Sequence, residues 1–97
     1  MNIEKKKEGT TLYVTLTGRL DTITSGDLSA SLEEETGFTD IIFDFSALEY
    51  LSSSGLRLLF TQQRNLGGKE HVIVRNANAV VREIFRVTGF GRQITLE

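Results

Sequence analysis

The chain has 97 residues, 39% hydrophobic and 25% charged, with no Cys, Pro or Trp, which suits a single domain over residues 1–97 with a packed core rather than a disordered chain. Zero cysteines exclude a disulfide framework, a thiolate nucleophile and a Cys-based metal site, and favour a cytoplasmic protein. Eleven basic against thirteen acidic residues give a net charge of -2, so no basic stripe points to nucleic acid, no apolar run approaches the ~20 residues of a membrane span, and the charged first residues do not read as a signal peptide.

Residues 3–8 are weakly apolar and read as a short edge strand. Within them Lys5-Lys6-Lys7, between Glu4 and Glu8, reads as a solvated strand edge or turn. Gly9-Thr10 is a turn. Leu12, Val14 and Leu16 then alternate with Tyr13, Thr15 and Thr17, the period of a half-buried strand, which Gly18 closes. Thr24 or Ser25 caps a helix reaching about Thr36, with Asp27 in its first turn, Leu28 and Leu32 as a thin apolar stripe, Glu33 to Glu35 as its exposed end and Gly37 as its C-cap. The dense run 41–45 (IIFDF) predicts a central strand buried on both faces. Residues 46–51 read as a connection anchored by Leu48 and Leu51.

Ser52-Ser53-Ser54-Gly55 precedes a helix whose stripe is Leu56, Leu59, Phe60, Gln63 and Leu66, ended by Gly67-Gly68. Leu58 lies nearly opposite that stripe, either as satellite core or as part of an apolar docking patch beside Ser53. Residues 71–75 (HVIVR) predict another central strand. Asn76 or Asn78 caps a third helix with Val80, Ile84 and Val87 as its core stripe. Gly89 and Gly91 break it, Phe90 between them reads as a core plug, and Ile94 and Leu96 alternate in a last strand. Strands and helices alternating from residue 24 onward predict an α/β fold: a small mixed sheet of four or five strands, helices mainly on one side.

The candidate site is the serine run. One hydroxyl can cap the following helix, while unpaired amides face solvent at its positive end. A cap and nothing more is the plain reading. The sharper reading is a switch: a phosphate on a serine here is tolerated by the fold and brings about -1.5 to -2 charges to the spot where a partner would sit. His71 has no second ligand at metal spacing and reads as an exposed strand-start residue. A hydrolase triad of Ser53, His71 and Asp21 lacks a G-x-S-x-G elbow and a substrate pocket. Gly67-Gly68-Lys69 lacks the spacing of a P-loop.

Tyr50-Leu51-Ser52-Ser53-Ser54-Gly55-Leu56 resembles the signature of STAS domains, the anti-sigma factor antagonists: an aromatic, an aliphatic, Asp or sometimes Ser, Ser, a small residue, Gly, Leu. Leu16-Thr17-Gly18-Arg19-Leu20-Asp21 resembles the family's L-x-G-x-L-D, residues 41–46 (IIFDFS) its strand before the phosphorylation loop, and residues 81–90 (VREIFRVTGF) its third helix and following turn. The resemblance covers nearly the whole chain.

It implies a STAS-like fold and a switch protein that is not an enzyme. Unphosphorylated, it would bind an anti-sigma factor or related GHKL-type serine kinase; phosphorylation would release it, and a PP2C-type phosphatase would restore it. The acceptor implied is Ser53, with Ser54 as the alternative, while Ser52 stands where many members carry Asp. Asp21 matches the family's Asp near the phosphorylation loop; its plainer role is a turn or cap. The implied partner surface comprises Asp21, Thr22, Ser52, Ser53, Ser54, Gly55 and Leu58. The kinase supplies ATP and magnesium, so no cofactor is expected of this chain. The other reading the resemblance allows is a constitutive STAS-type interaction subunit of a transport or signalling complex, without phosphorylation.

Overall fold

The computed structural model describes residues 1–89 and 92–97. Its elements are β1 (Asn2–Glu8), β2 (Thr11–Leu20), α1 (Thr22–Glu33), β3 (Asp40–Leu51), α2 (Ser53–Leu66), a 3-10 turn (Lys69–His71), β4 (Val72–Arg75), α3 (Ala79–Thr88) and β5 (Thr95–Leu96). The Phe90 plug expected from the sequence lies outside the described residues. The five strands form one sheet in chain order, β1-β2-β3-β4-β5. β1 and β2 are antiparallel, joined at Gly9-Thr10, where Gly9 takes the left-handed φ of +61° that such a turn requires. The remaining pairs, β2–β3, β3–β4 and β4–β5, are parallel. Each parallel step needs a crossover, and α1, α2 and α3 supply them.

One sheet face is buried. Leu12, Val14 and Leu16 of β2, Ile41, Phe43 and Phe45 of β3, and Val72 and Val74 of β4 form the core with Leu28 and Leu32 of α1, Leu56 and Leu59 of α2, and Val81 and Phe85 of α3. The alternate residues Tyr13, Thr15, Ile42 and Ile73 are only half-buried. β3 is therefore central but covered on one face, not on both as expected.

β3 also runs further than expected, through residues 46–51. The pairing with β2 shifts register between Thr15 and Thr17 and again between Gly18 and Arg19. The buried positions Phe45, Leu48 and Leu51 consequently recur every third residue, which hides the strand period of two. For the same reason Gly18 does not close β2; it sits inside it with φ +107°.

Asp21, rather than Thr24 or Ser25, caps α1, and the helix ends at Glu33 with Glu34 as C-cap. Asp27 thus falls beyond the first turn, and Gly37 lies outside the helix. Asn78 caps α3, accepting a hydrogen bond from Val81 N at 2.8 Å. Its core stripe is Val81 and Phe85; Val80 and Val87 are 56% and 65% exposed. Apolar residues occupy two adjacent faces of this helix, and the one carrying the larger Phe85 is buried, because the aromatic ring removes more apolar surface from water than a valine does.

The lysine run is not simply solvated. Lys5 Nζ donates to Ser31 O at 2.7 Å and lies 3.4 and 3.1 Å from the carboxylates of Glu34 and Glu35. Lys7 Nζ donates to Thr36 O at 2.8 Å. Only Lys6 behaves as expected of an edge, pairing with Glu8 at 2.9 Å.

Candidate functional site

Parallel strands followed at once by helices place their helix starts at the same sheet edge. Leu20, the last residue of β2, is paired with Leu51, the last of β3. Asp21 and Ser52 follow them as the caps of α1 and α2. Ser52 N donates to Leu20 O at 2.9 Å, tying the two caps together.

Asp21 Oδ1 accepts the amides of Ile23 and Thr24, each at 3.0 Å. The Thr24 hydroxyl accepts Asp21 N at 2.8 Å, which completes a capping box. The Thr24 amide and hydroxyl, the Ile23 amide and the nearby charge of Arg19 together hold the Asp21 carboxyl below its ordinary value, so it stays ionised. Its role as a helix cap is direct.

The three serines differ. Ser52 Oγ is engaged as the cap of α2, accepting Gly55 N at 3.3 Å. Ser54 Oγ lies 3.3 Å from Thr22 Oγ1, a hydrogen bond between the first turns of α1 and α2. Ser53 is exposed, occupies the first position of α2, and its hydroxyl makes no hydrogen bond among the described residues. Asp21, Thr22, Ser52, Ser53 and Ser54 are therefore gathered on one edge.

Gly55 and Leu58 lie beneath that edge. A Cβ on Gly55 would stand 2.6 Å from Leu51 Cδ1 and 2.9 Å from Leu20 Cγ, so glycine is what lets α2 approach the strand ends. Leu58 is 9% exposed and packs in the core, so of the two places the sequence offered it takes that of satellite core, and its inclusion in the implied partner surface is corrected. Ser54 and Leu58 are one turn apart on α2. The flank that meets Thr22 of α1 at Ser54 continues to Leu58, so α1 covers a side of the helix that looks outward when α2 is considered alone.

Ile23 and Tyr50 belong to the same edge and were not expected there. Ile23 is 79% exposed in the first turn of α1. Once Asp21 is the cap, Ile23 falls nearly opposite Leu28 and Leu32 on the helical wheel, which is the signal that could have marked it. Tyr50 carries the Arg19 guanidinium over its ring at 4.5 Å.

The imagined hydrolase triad does not assemble. His71 Nδ1 lies 2.8 Å from Asp40 Oδ1. Asp40 begins β3, whereas Ser53 follows its end, so the histidine is at the opposite edge of the sheet. His71 is half-buried rather than an exposed strand start, and it holds the Asp40 carboxyl below its ordinary value. A cleft of ≈ 490 Å³ on the β1–β2 face, lined by Glu4, Lys6, Tyr13 and Thr15, and one of ≈ 390 Å³ beside α3, lined by Arg82, Phe85, Arg86 and Leu96, both lie away from Ser53. Among the described residues, no helix is long and apolar enough to cross a membrane.

The same architecture is found in solved structures. SpoIIAA, an anti-sigma factor antagonist, in its unphosphorylated form matches with a TM-score of 0.82 and 24% identity, over 99% of this chain and 88% of that one. The phosphorylated form of SpoIIAA, a cell fate determinant of Bacillus, matches with a TM-score of 0.73 and 23% identity, over 99% and 91%. An anti-sigma factor antagonist from Mycobacterium paratuberculosis matches with a TM-score of 0.77 and 21% identity, over 98% and 83%. At these identities the likeness speaks for the fold, the α/β sheet with helices on one side. The sequence profile of the STAS domain matches residues 2–97, and the chain belongs to the STAS domain family.

Proposed function

We propose that this STAS domain is an anti-sigma factor antagonist switched by phosphorylation of Ser53. The observation that carries the reading is the unequal use of the three serines. Ser52 and Ser54 are tied into helix capping and the α1–α2 contact, while Ser53 is exposed and its hydroxyl is unengaged among the described residues. Ser54 is the secondary acceptor. The likeness to SpoIIAA, a protein with phosphorylated and unphosphorylated forms, supports the same reading.

In this scheme the unphosphorylated domain docks an anti-sigma factor, itself a GHKL-type serine kinase, in the cytoplasm. The docking edge is made by Asp21, Thr22 and residues 52–54. The kinase transfers the γ-phosphoryl of ATP to Ser53 Oγ: the new O–P bond forms, ADP leaves, and the serine proton passes to solvent or a kinase base. A PP2C-type phosphatase reverses the step by adding water and releasing inorganic phosphate. The domain contributes no catalytic group; it presents a hydroxyl and a surface.

The charge effect is large enough for a switch. A phosphoserine brings about -1.5 to -2 charges, and like-charge or desolvation mismatch at an interface costs several kcal/mol. Each ~1.4 kcal/mol is a tenfold loss of affinity. Ser53→Asp is therefore expected to weaken binding to the anti-sigma factor at least about tenfold, while Ser53→Ala stays near wild type. Titration calorimetry with the anti-sigma factor from the host, identified by pull-down, together with phosphosite mapping of the domain, checks this. Equal binding by both variants and no phosphate on Ser53 would instead indicate a constitutive interaction subunit.

A further inference from the structure

We infer that Arg57 is the ligand within this chain for the phosphoryl group on Ser53. The inference rests on the switch reading above and adds the residue that receives the charge. Arg57 follows Ser53 by one helical turn on α2, the spacing at which helix side chains are neighbours. Helix Cα–Cβ bonds tilt toward the N-terminus, so a long side chain lies over the turn preceding its own Cα. For Arg57 that is the turn occupied by Ser53.

Arg57 is also available. It is exposed, and among the described residues its guanidinium enters no ion pair. By contrast Arg75 is paired with Glu97, Arg86 with Glu83, and Arg82 with the backbone of Ala77 and Glu97. Arg19 lies over Tyr50. The one contact of Arg57 that is described is its backbone carbonyl accepting the Thr61 hydroxyl at 3.0 Å, which leaves the side chain unconstrained.

The chemistry matches. A guanidinium presents a planar fork of N–H donors to phosphate oxygens. It favours the dianion over the monoanion, because the dianion carries the larger charge. Phosphorylation then does two things at the docking edge: it adds negative charge at Ser53 and draws a surface cation off solvent onto itself. A partner that had faced an uncharged hydroxyl beside a solvent-exposed arginine meets instead a phosphate–guanidinium pair.

The test reads the phosphate directly. Phosphoserine is placed at position 53 of the full chain by codon suppression, without any kinase, in the wild-type, Arg57→Gln, Arg57→Lys and Arg64→Gln backgrounds. The second phosphate ionisation is followed by phosphorus NMR. In Arg57→Gln it is expected to rise by about 0.2 to 0.7 of a pH unit, the size set by an exposed ion pair. Arg64, exposed in the last turn of α2, is the control for general charge removal and should leave it unchanged. Arg57→Lys should retain part of the effect, and about 1 M salt should abolish it by shortening the screening length to ~3 Å.

Identical titrations in wild type and Arg57→Gln overturn the inference, as does an equal rise in Arg64→Gln. Since the phosphoserine is installed during translation without any kinase, that failure leaves the switch reading standing. Absence of Ser53 phosphorylation in the host sinks the switch reading without touching the measured pairing.

Discussion

Small side chains at the edge where α1 and α2 begin carry separate tasks, and Gly55 illustrates how narrowly they are set. In an exposed helix interior, glycine to alanine gains up to about 1 kcal/mol from helix propensity. Here the new methyl would enter the space of Leu51 and Leu20, both essentially without solvent exposure. Neither leucine has solvent to move into, and overpacking of this kind costs about 1–3 kcal/mol. Steric conflict therefore outweighs propensity, and Gly55→Ala should lower the melting temperature rather than raise it. Thermal unfolding by circular dichroism decides; a more stable variant would mean that the α2 start can shift away from the strand ends. At this scale the residues alone showed that one hydroxyl of the run would cap α2 but not which one, and it is the fold that gives the role to Ser52; Ser53 was singled out only by the resemblance. For Leu58 the sequence left two places open, satellite core or docking patch, because a wheel drawn for α2 alone does not contain the neighbouring elements that bury it.

The helices show which terminal devices local sequence reveals. Caps were legible in part: Asn78 was one of two candidates for α3, whereas α1 was expected to start at Thr24 or Ser25 and Asp21, its actual cap, was weighed only as a turn or cap residue. The far end of α1 was not legible. Its acidic residues 33–35 face the negative end of the helix dipole, an arrangement unfavourable in isolation. β1 resolves it from about 26 positions away in sequence: Lys5 donates to Ser31 O and sits between Glu34 and Glu35, and Lys7 donates to Thr36 O. Partial burial acts to lower the Lys5 pKa, but the Glu35 and Glu34 carboxylates outweigh it, and the net shift is upward. Lys5→Met keeps most of the aliphatic stem while removing the cation. It should destabilise the domain by about 1 kcal/mol, since it removes both a helix-terminal cation and its carbonyl bond. Chemical denaturation tests this, and Lys6→Met, which removes a charge paired only with Glu8, should have little effect. Equal losses in the two variants would show that β1 acts through general charge alone. For a related reason the α3 stripe was misread in part: Ile84 is partly buried against the core, but Val80 and Val87 are exposed. Val80–Ile84–Val87 and Val81–Phe85 are both helical spacings, and only the sheet beneath chooses between them.

Across the molecule the order of elements was legible because strand and helix periods alternate cleanly from α1 onward. The length of β3 was not, because its two register shifts arise from pairing with β2. That long central strand brings a set of carboxylates into fixed hydrogen bonds. Asp44 Oδ1 accepts Ser46 N at 2.9 Å and Asn76 Nδ2 at 3.2 Å, joining β3 to the turn after β4, where Asn76 holds φ +61°. The Ser46 amide is the main reason the Asp44 carboxyl lies below its ordinary value of 3.8. Asp21, Asp40 and Glu83 are lowered too, by the Thr24 amide, by His71 and by Arg86 respectively. Each of these groups holds its proton more weakly folded than unfolded. In acid the unfolded chain therefore binds more protons, so the stability these groups contribute is present above the unfolded value and is lost as pH falls through the lower folded value. The raised groups Lys5, Lys6 and Arg86 have ordinary values of 10.5 and above and play no part in acid. Melting temperature should accordingly be level from about pH 7 to 5 and drop below about pH 4. Asp44→Asn removes one of the titrations. It should be less stable than wild type at neutral pH, fall less steeply in acid, and approach wild type once acid has protonated Asp44. Melting curves that run parallel across this range would show that Asp44 is no more strongly bound folded than unfolded, and that the β3–β4 junction is held by the sheet alone.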